Sequence, residues 1–361
     1  MRPFVKTPWR DLMIADASAY GTARHFVLTT SGFYCAYCET PLGVDMPVEH
    51  KLPKGGEIAT FANCYPDLAI AYGNFDMACS ACNSVKNAHP NQDDAAAFLS
   101  QFFKRSKYDY NQLVYGGLYA MVWPDSMKGK TGYPEPVPDL LRKDYTGVDP
   151  TFNLFRYDKK AVSQVDLHKE GLLRLSDFDL KQPWAAAAQD MVWVTPNRAY
   201  IDAQPKKDML LARVKNTLVC LNLNYSNPDD SKASDRRTRD RTAAWAVALA
   251  ALADLTQTVA MFGLKKVNVY TAPTYLAVQA IRELALATGY WSVWMTVFAA
   301  ISNRAGPPWN DDAKMSADDC KELVRALFVQ YLVWENRARV YSFQPNPPTV
   351  FMGTNLDLVK L

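Results

Sequence analysis

Two Cys-x-x-Cys pairs, Cys35-Ala-Tyr-Cys38 and Cys79-Ser-Ala-Cys82, constrain this chain more than any other feature. Each pair can set two thiolates on one side of a tight knuckle, and two knuckles supply the four soft ligands of a closed tetrahedral zinc site. Unrelated thiols would not be expected to repeat the spacing. A disulfide framework would need an oxidising compartment, for which nothing in the sequence argues. The other cysteines, Cys64, Cys220 and Cys320, read as small buried hydrophobes. The first expectation is therefore a structural Zn2+ ion on Cys35, Cys38, Cys79 and Cys82.

The chain around this centre has 361 residues and is 49% hydrophobic, too long for one ordinary core and well supplied for two. Short extended stretches are expected at Phe33–Cys38, Pro47–His50 and Asn74–Ala78. A long loop, 51–73, separates the last two, and a helix starts at Asn83 and ends by Pro90. Before them a helix is expected over Ala15–Thr29, and after them another over Ala95–Phe103. The Pro- and Gly-rich run from Trp123 to Pro138 reads as a connector. Beyond it, strands are expected within Phe152–Val165 and Met191–Ile201. Helices follow at Arg239–Phe262, at Tyr275–Leu286 with a stop near Gly289, and from Ser316, and the tail from Ser342 is irregular. Tyr290–Ile301 is the most apolar stretch, too short for a membrane span, and reads as core. The fold class is α+β, with residues 1–110 as one domain (motif core 30–90), 111–145 as connector and 146–361 as a mainly helical domain.

A bare zinc ribbon does not need Glu49-His50, an acid beside an imidazole between Pro47 and Pro53, nor Asn83 directly after the last cysteine. An imidazole can serve as base for water, and oxygen donors suit a second, hard cation. His50 lies between the knuckles and is read as catalytic, while His25, His89 and His168 have no partner of that kind in sequence. Glu49 could equally be a solvated strand-end acid. Neighbours in a regular strand face opposite sides, so Glu49 and His50 share a site only if the strand end bends. Asn74 and Asn83 are ordinary turn and cap residues when taken alone. Lys86 shares a helix face with Asn83 and could meet a phosphate or be a plain surface lysine. Net charge is only +3, so a polyanion would have to be met by local patches: Lys51 and Lys54, Lys104 to Lys107, or Lys232 with Arg236, Arg237, Arg239 and Arg241. Asp235 and Asp240 interrupt the last group, which favours a solvated helix start.

Cys-x-x-Cys, Glu-His, Asn and Cys-x-x-Cys-Asn-x-x-Lys in this order, over residues 30–90, resemble the HNH endonucleases of the ββα-metal fold, in their four-cysteine zinc subgroup. The resemblance implies an N-terminal ββα-metal HNH unit with structural zinc, followed by a mainly helical C-terminal domain. It implies His50 as general base, Glu49 and Asn83 as ligands of a catalytic Mg2+ or Mn2+, and Asn74 as the residue that pins the loop carrying the base. Glu stands where Asp is common and Asn where His is common; both substitutions keep an oxygen ligand. More loosely, the Met-Arg-Pro opening, Val48-Glu-His-x-x-Pro-Lys54, Trp123-Pro-Asp125 and Leu221-Asn-Leu-Asn224 resemble the stand-alone HNH proteins of bacterial antiphage systems, such as the HNH subunit of Septu. An ATPase partner is typical of that group, which would make the helical half a docking or regulatory domain.

The function expected on this basis is hydrolysis of phosphodiester bonds in nucleic acid, with duplex DNA as the first candidate substrate and antiviral defence as the setting. Two other readings stand beside it: a zinc-stabilised module that binds nucleic acid or protein without catalysis, and an RNA-directed nuclease or toxin. No membrane partner is expected, a homo-oligomer is compatible with the sequence, and free thiols with no apolar leader point to the cytoplasm.

Overall fold

The computed structural model describes residues 1–2, 4–6, 23–24, 27–28, 31–43, 46–50, 75–87, 121–122, 125–127, 151–205, 207–227, 235–261 and 272–299. Its N-terminal part is organised by short pieces. Strand β1 (Phe4–Lys6) pairs in parallel with β4 (Asp125–Met127), which the expected connector contributes. Strand β2 (Val48–His50) pairs antiparallel with β3 (Phe75–Met77) in the register Val48↔Met77, Glu49↔Asp76 and His50↔Phe75, and α1 (Ser80–Asn87) follows at once. The helix begins before Asn83 because the second Cys-x-x-Cys is its first turn.

The first pair does not lie in a strand as expected. Residues 36–38 turn, with a single bridge between Tyr34 and Pro41 and Glu39 at φ 68°. An extended chain would throw the Cys35 and Cys38 sulfurs apart, whereas the turn folds them to one side. Of the lead-in, residues 23–24, 27–28 and 31 are helical and pack Ala23, Val27 and Leu28 against Phe75 and Met77. The loop at 51–73, the helix at 95–103, the helix from Ser316 and the tail lie outside the described residues.

The second half is built on a long hairpin. After α2 (Thr151–Leu154), β5 (Phe155–Ser163) runs antiparallel to β6 (Ala188–Pro196), in register from Phe155↔Pro196 to Ser163↔Ala188. Between them lie α3 (Gln164–Lys169), α4 (Asp177–Leu180) and α5 (Pro183–Ala186). Ser163 caps α3, a reciprocal Ser176–Asp179 box caps α4, and Pro183 opens α5 where its missing N–H costs nothing. The chain continues through α6 (Arg198–Ile201), α7 (Lys207–Cys220), α8 (Arg237–Met261), α9 (Ala272–Thr288) and α10 (Trp291–Ala299).

A two-stranded hairpin leaves backbone groups open on its outer edge. Here side chains close the β6 edge. The Val192 N–H donates to Thr242 Oγ1 at 2.9 Å, and Arg241 Nε donates to the Val192 carbonyl at 2.9 Å. The fully buried Asn224 receives the Val194 N–H and donates to the Val194 carbonyl, both at 2.8 Å. This explains why an arginine-rich helix start follows Leu221–Asn224.

Helix α8 packs through Ala244, Ala248, Ala251 and Leu255, a stripe at helical spacing, while Leu249 stays 45% exposed. The small stripe lets α9 and α10 approach closely, with Ile281, Ala285, Trp291, Trp294 and Phe298 buried in the same cluster. The apolar stretch from Tyr290 is core, as expected, and no helix among the described residues is long and apolar enough to cross a membrane. A second cluster joins Cys35, Tyr37, Cys38, Ala78 and Cys82 to Leu154, Tyr157, Leu218, Leu221, Ala244 and Tyr290. The cysteines therefore lie inside a core shared by both halves of the chain.

Gly289, between α9 and α10, brings the backbone close against the first knuckle. Its φ is +71°, and a Cβ there would lie 2.7 Å from Pro41 Cδ and 2.8 Å from the Glu39 carbonyl oxygen. Gly289→Ala is expected to destabilise the protein by more than the roughly 1–2 kcal/mol of a left-handed L-residue, because the first knuckle must also shift. Denaturant titration against wild type measures it; a loss below about 0.5 kcal/mol would contradict this packing.

Candidate metal centre

The four cysteine sulfurs, from the turn at 35–38 and the first turn of α1, lie within 4.8 Å of one another. All four are free thiols. Cys38 Sγ and Cys79 Sγ are 3.7 Å apart. A tetrahedral ion with sulfur at about 2.3 Å needs about 3.8 Å between sulfurs, so the cluster could hold a metal ion such as zinc. Among the described residues it is the one group of three or more His, Cys, Asp or Glu side chains arranged to do so.

Local backbone bonds shape both knuckles. The Cys82 N–H points at Cys79 Sγ at 3.4 Å. The Glu39 N–H donates to the Cys35 carbonyl at 3.0 Å, and the Ala36 N–H donates to the Met77 carbonyl at 2.8 Å, tying the first knuckle to the end of β3. Without a cation, burial pushes the Cys38 and Cys82 thiols up. Cys79, which receives hydrogen bonds from the other three, is held well below the usual thiol range. A dication held among such sulfurs would let buried thiols ionise together.

The helical half touches both knuckles. Glu39, 3% exposed, accepts from the Ser292 N–H at 2.7 Å and the Ser292 hydroxyl at 2.6 Å, and its carbonyl accepts from the Tyr290 N–H at 3.0 Å. A carboxylate at the first turn of α10 is favoured by the helix dipole. On the other side, Arg237 Nη1 donates to Cys82 Sγ at 3.0 Å. The arginine cluster at 236–241 is thus neither a polyanion patch nor wholly a solvated helix start. Arg237 and Arg241 are buried, at 4% and 1% exposed, and bonded within the protein. Arg236 stays exposed against Asp240 at 3.6 Å, and Arg239 donates to the Asn227 carbonyl. Lys232, and the patches at Lys51, Lys54 and 104–107, lie outside the described residues.

Beside the cysteines stands a second arrangement on β2, β3 and α1. Glu49, 2% exposed, meets Lys86 of α1 at 2.5 Å, and the same ammonium donates to the His50 carbonyl at 2.8 Å. Lys86 is fully buried. It is neither the expected surface lysine nor placed for a phosphate, because its charge is committed to Glu49. Asp76, directly opposite Glu49 in the register and fully buried, shares that face; sequence reasoning did not single it out. Burial pushes the Glu49 carboxyl up to about 6, with Lys86 opposing and Asp76 adding to the rise.

His50 takes the other face of the strand. Its ring, 8% exposed, meets Phe75 edge-on at 4.9 Å. The alternation therefore persists to the end of β2, and the bend that would turn Glu49 and His50 to one side is not seen. Asn83 lies on α1, one turn before Lys86, and its N–H donates to the Cys79 carbonyl at 2.9 Å. The structure thus brings Glu49 to Lys86 of α1 and turns the His50 ring to Phe75 on the other face. Asn74 lies outside the described residues. No family model, no curated protein and no solved structure matches the chain.

Removing one partner from a buried ion pair leaves the other charge uncompensated. Lys86→Met is expected to cost about 3–5 kcal/mol in denaturant unfolding, and a change below about 1 kcal/mol would show the pair to be solvated. The Glu49 carboxyl adds a pH signature. Its folded-state pKa is raised from 4.5 to about 6, so the folded protein binds more protons than the unfolded chain between those values. Stability should fall by about 2 kcal/mol as pH rises through this window, then level off. Unfolding curves at constant metal saturation should show this slope in wild type and lose it in Glu49→Gln; identical slopes would contradict the burial of this carboxyl.

Proposed function

We propose that the chain is a metal-dependent endonuclease of the HNH type, in which Cys35, Cys38, Cys79 and Cys82 hold a structural zinc ion. The reading rests on the motif resemblance, and one geometric observation carries it furthest. The order β2–β3–α1, with Cys79 and Cys82 at the start of the helix, sets the Glu49 carboxylate against Lys86, one helical turn beyond Asn83. Glu49 and Asn83 are hard oxygen donors and fit a Mg2+ or Mn2+ ion by chemistry. Glu49 already neutralises one cation, the Lys86 ammonium. When bound, such an ion supplies Lewis-acid neutralisation of charge at the scissile phosphate. His50 takes a proton from the attacking water and Asn74 restrains the loop after β2. Duplex DNA is the proposed substrate. By the looser resemblance the setting is cytoplasmic antiphage defence beside an ATPase partner.

The buried Glu49–Lys86 pair and the packing of His50 on Phe75 favour a second reading, in which the same unit is a zinc-stabilised binding module. A nicking assay on plasmid DNA with Mg2+ or Mn2+ separates them. The nuclease reading expects cutting, and a loss of about 10²–10⁴-fold in His50→Ala at unchanged zinc content. Binding without scission under any metal condition would overturn it in favour of the module. Parallel assays on single strands and RNA identify an RNA-directed nuclease.

A further inference from the structure

We propose that Arg237 is an outer-shell residue of the four-cysteine centre, a fixed guanidinium from the helical half that neutralises the Cys82 thiolate and slows loss of the metal. The inference rests on the zinc reading of the cysteines and is independent of catalysis.

A dication on four thiolates is a unit with two net negative charges, and such charge in a buried place must be met by donors or cations. The sulfurs lie in the shared core, and Cys82 itself is fully buried. Arg237 enters from the first residue of α8 and places Nη1 at 3.0 Å from Cys82 Sγ. A guanidinium has five N–H donors, and here each has an acceptor. Nε donates to Asp235 Oδ1 at 2.8 Å and Nη2 to Asp235 Oδ2 at 2.5 Å, the two-point grip that suits a planar fork. Nη2 also reaches the Asn222 carbonyl at 3.2 Å, and Nη1 the Leu221 carbonyl at 2.7 Å. The fifth donor is the one on the sulfur. Four contacts therefore hold the group still while the fifth serves the centre, so little entropy is lost in making the N–H···S bond.

The geometry also explains a choice of residue. A lysine could bring charge to Cys82 but could not hold Asp235 and two carbonyls at the same time. Donation into a thiolate withdraws electron density from sulfur and lowers its tendency to take a proton, which is the step that opens a zinc–thiolate bond. Because Arg237 is fixed by residues 221, 222 and 235, metal retention becomes a property of the docked helical half and not of the knuckles alone.

The test uses the full zinc-loaded chain and follows transfer of zinc to a chromogenic chelator, with circular dichroism to establish folding. Arg237→Met is expected to release zinc roughly 10–100-fold faster than wild type, with Arg237→Lys between them. In the cobalt-substituted protein the sulfur-to-cobalt charge-transfer band should move in Arg237→Met, a readout that loss of packing alone would not shift. A folded Arg237→Met protein with wild-type release and an unmoved band overturns the role of Arg237. Should that variant not fold, Asp235→Asn loosens the guanidinium without removing it; faster release supports the proposal, and wild-type release overturns it. A wild-type protein that takes up no zinc overturns the metal reading itself, which separates the two failures.

Discussion

Four thiols packed within 4.8 Å in a buried place cannot all ionise unless a cation stands among them. That electrostatic constraint organises the rest. It makes the knuckles depend on each other, since neither can present two thiolates to nothing. It also requires the surroundings to manage charge, and two charged groups do so across the contact between the halves. Glu39 turns its carboxylate to the first turn of α10, and Arg237 turns its guanidinium to Cys82. The turn at Gly289 approaches the first knuckle so closely that a side chain has no room. Cysteine cluster and helical packing are thus one object held from several directions.

The same logic governs the hairpin. Among the described residues β6 has no third strand, and its edge is closed by Thr242, Arg241 and Asn224. The residues that close the edge lie on or just before α8, whose first residue reaches the cysteine cluster. Residues 224, 237, 241 and 242 therefore satisfy a strand edge and a cysteine sulfur together. Asn224, Arg237 and Arg241 are buried, so each would be costly if its partner moved. This ties the geometry of the cysteine centre to the hairpin without a continuous sheet between them.

The cysteine cluster was legible in the sequence because ligand spacing is a local property. So were the two strands of the hairpin, their positions displaced by a few residues, and the burial of Trp291 to Phe298, where apolar content is dense. What escaped depends on register and docking. That Asp76 faces Glu49 requires knowing that β2 and β3 pair as Glu49↔Asp76. That Lys86 is buried requires knowing which face of α1 meets the strands. Arginines separated by aspartates look solvated in any local window, and only the tertiary contacts reveal two of them as core. The burial of α8 through alanines, with Leu249 left outside, follows from the close approach of α9 and α10 and has no signature in hydrophobic size. In the candidate site, Glu49, His50 and Asn83 could be named from the motif, but strand alternation decided that Glu49 and His50 diverge.

The claim on which the account turns is that one ion sits among Cys35, Cys38, Cys79 and Cys82. Zinc K-edge X-ray absorption on the purified chain tests it most directly. The account predicts one zinc per chain with four sulfur scatterers at about 2.3 Å. A first shell containing nitrogen or oxygen, or a metal-free protein with a disulfide between the knuckles, would contradict it.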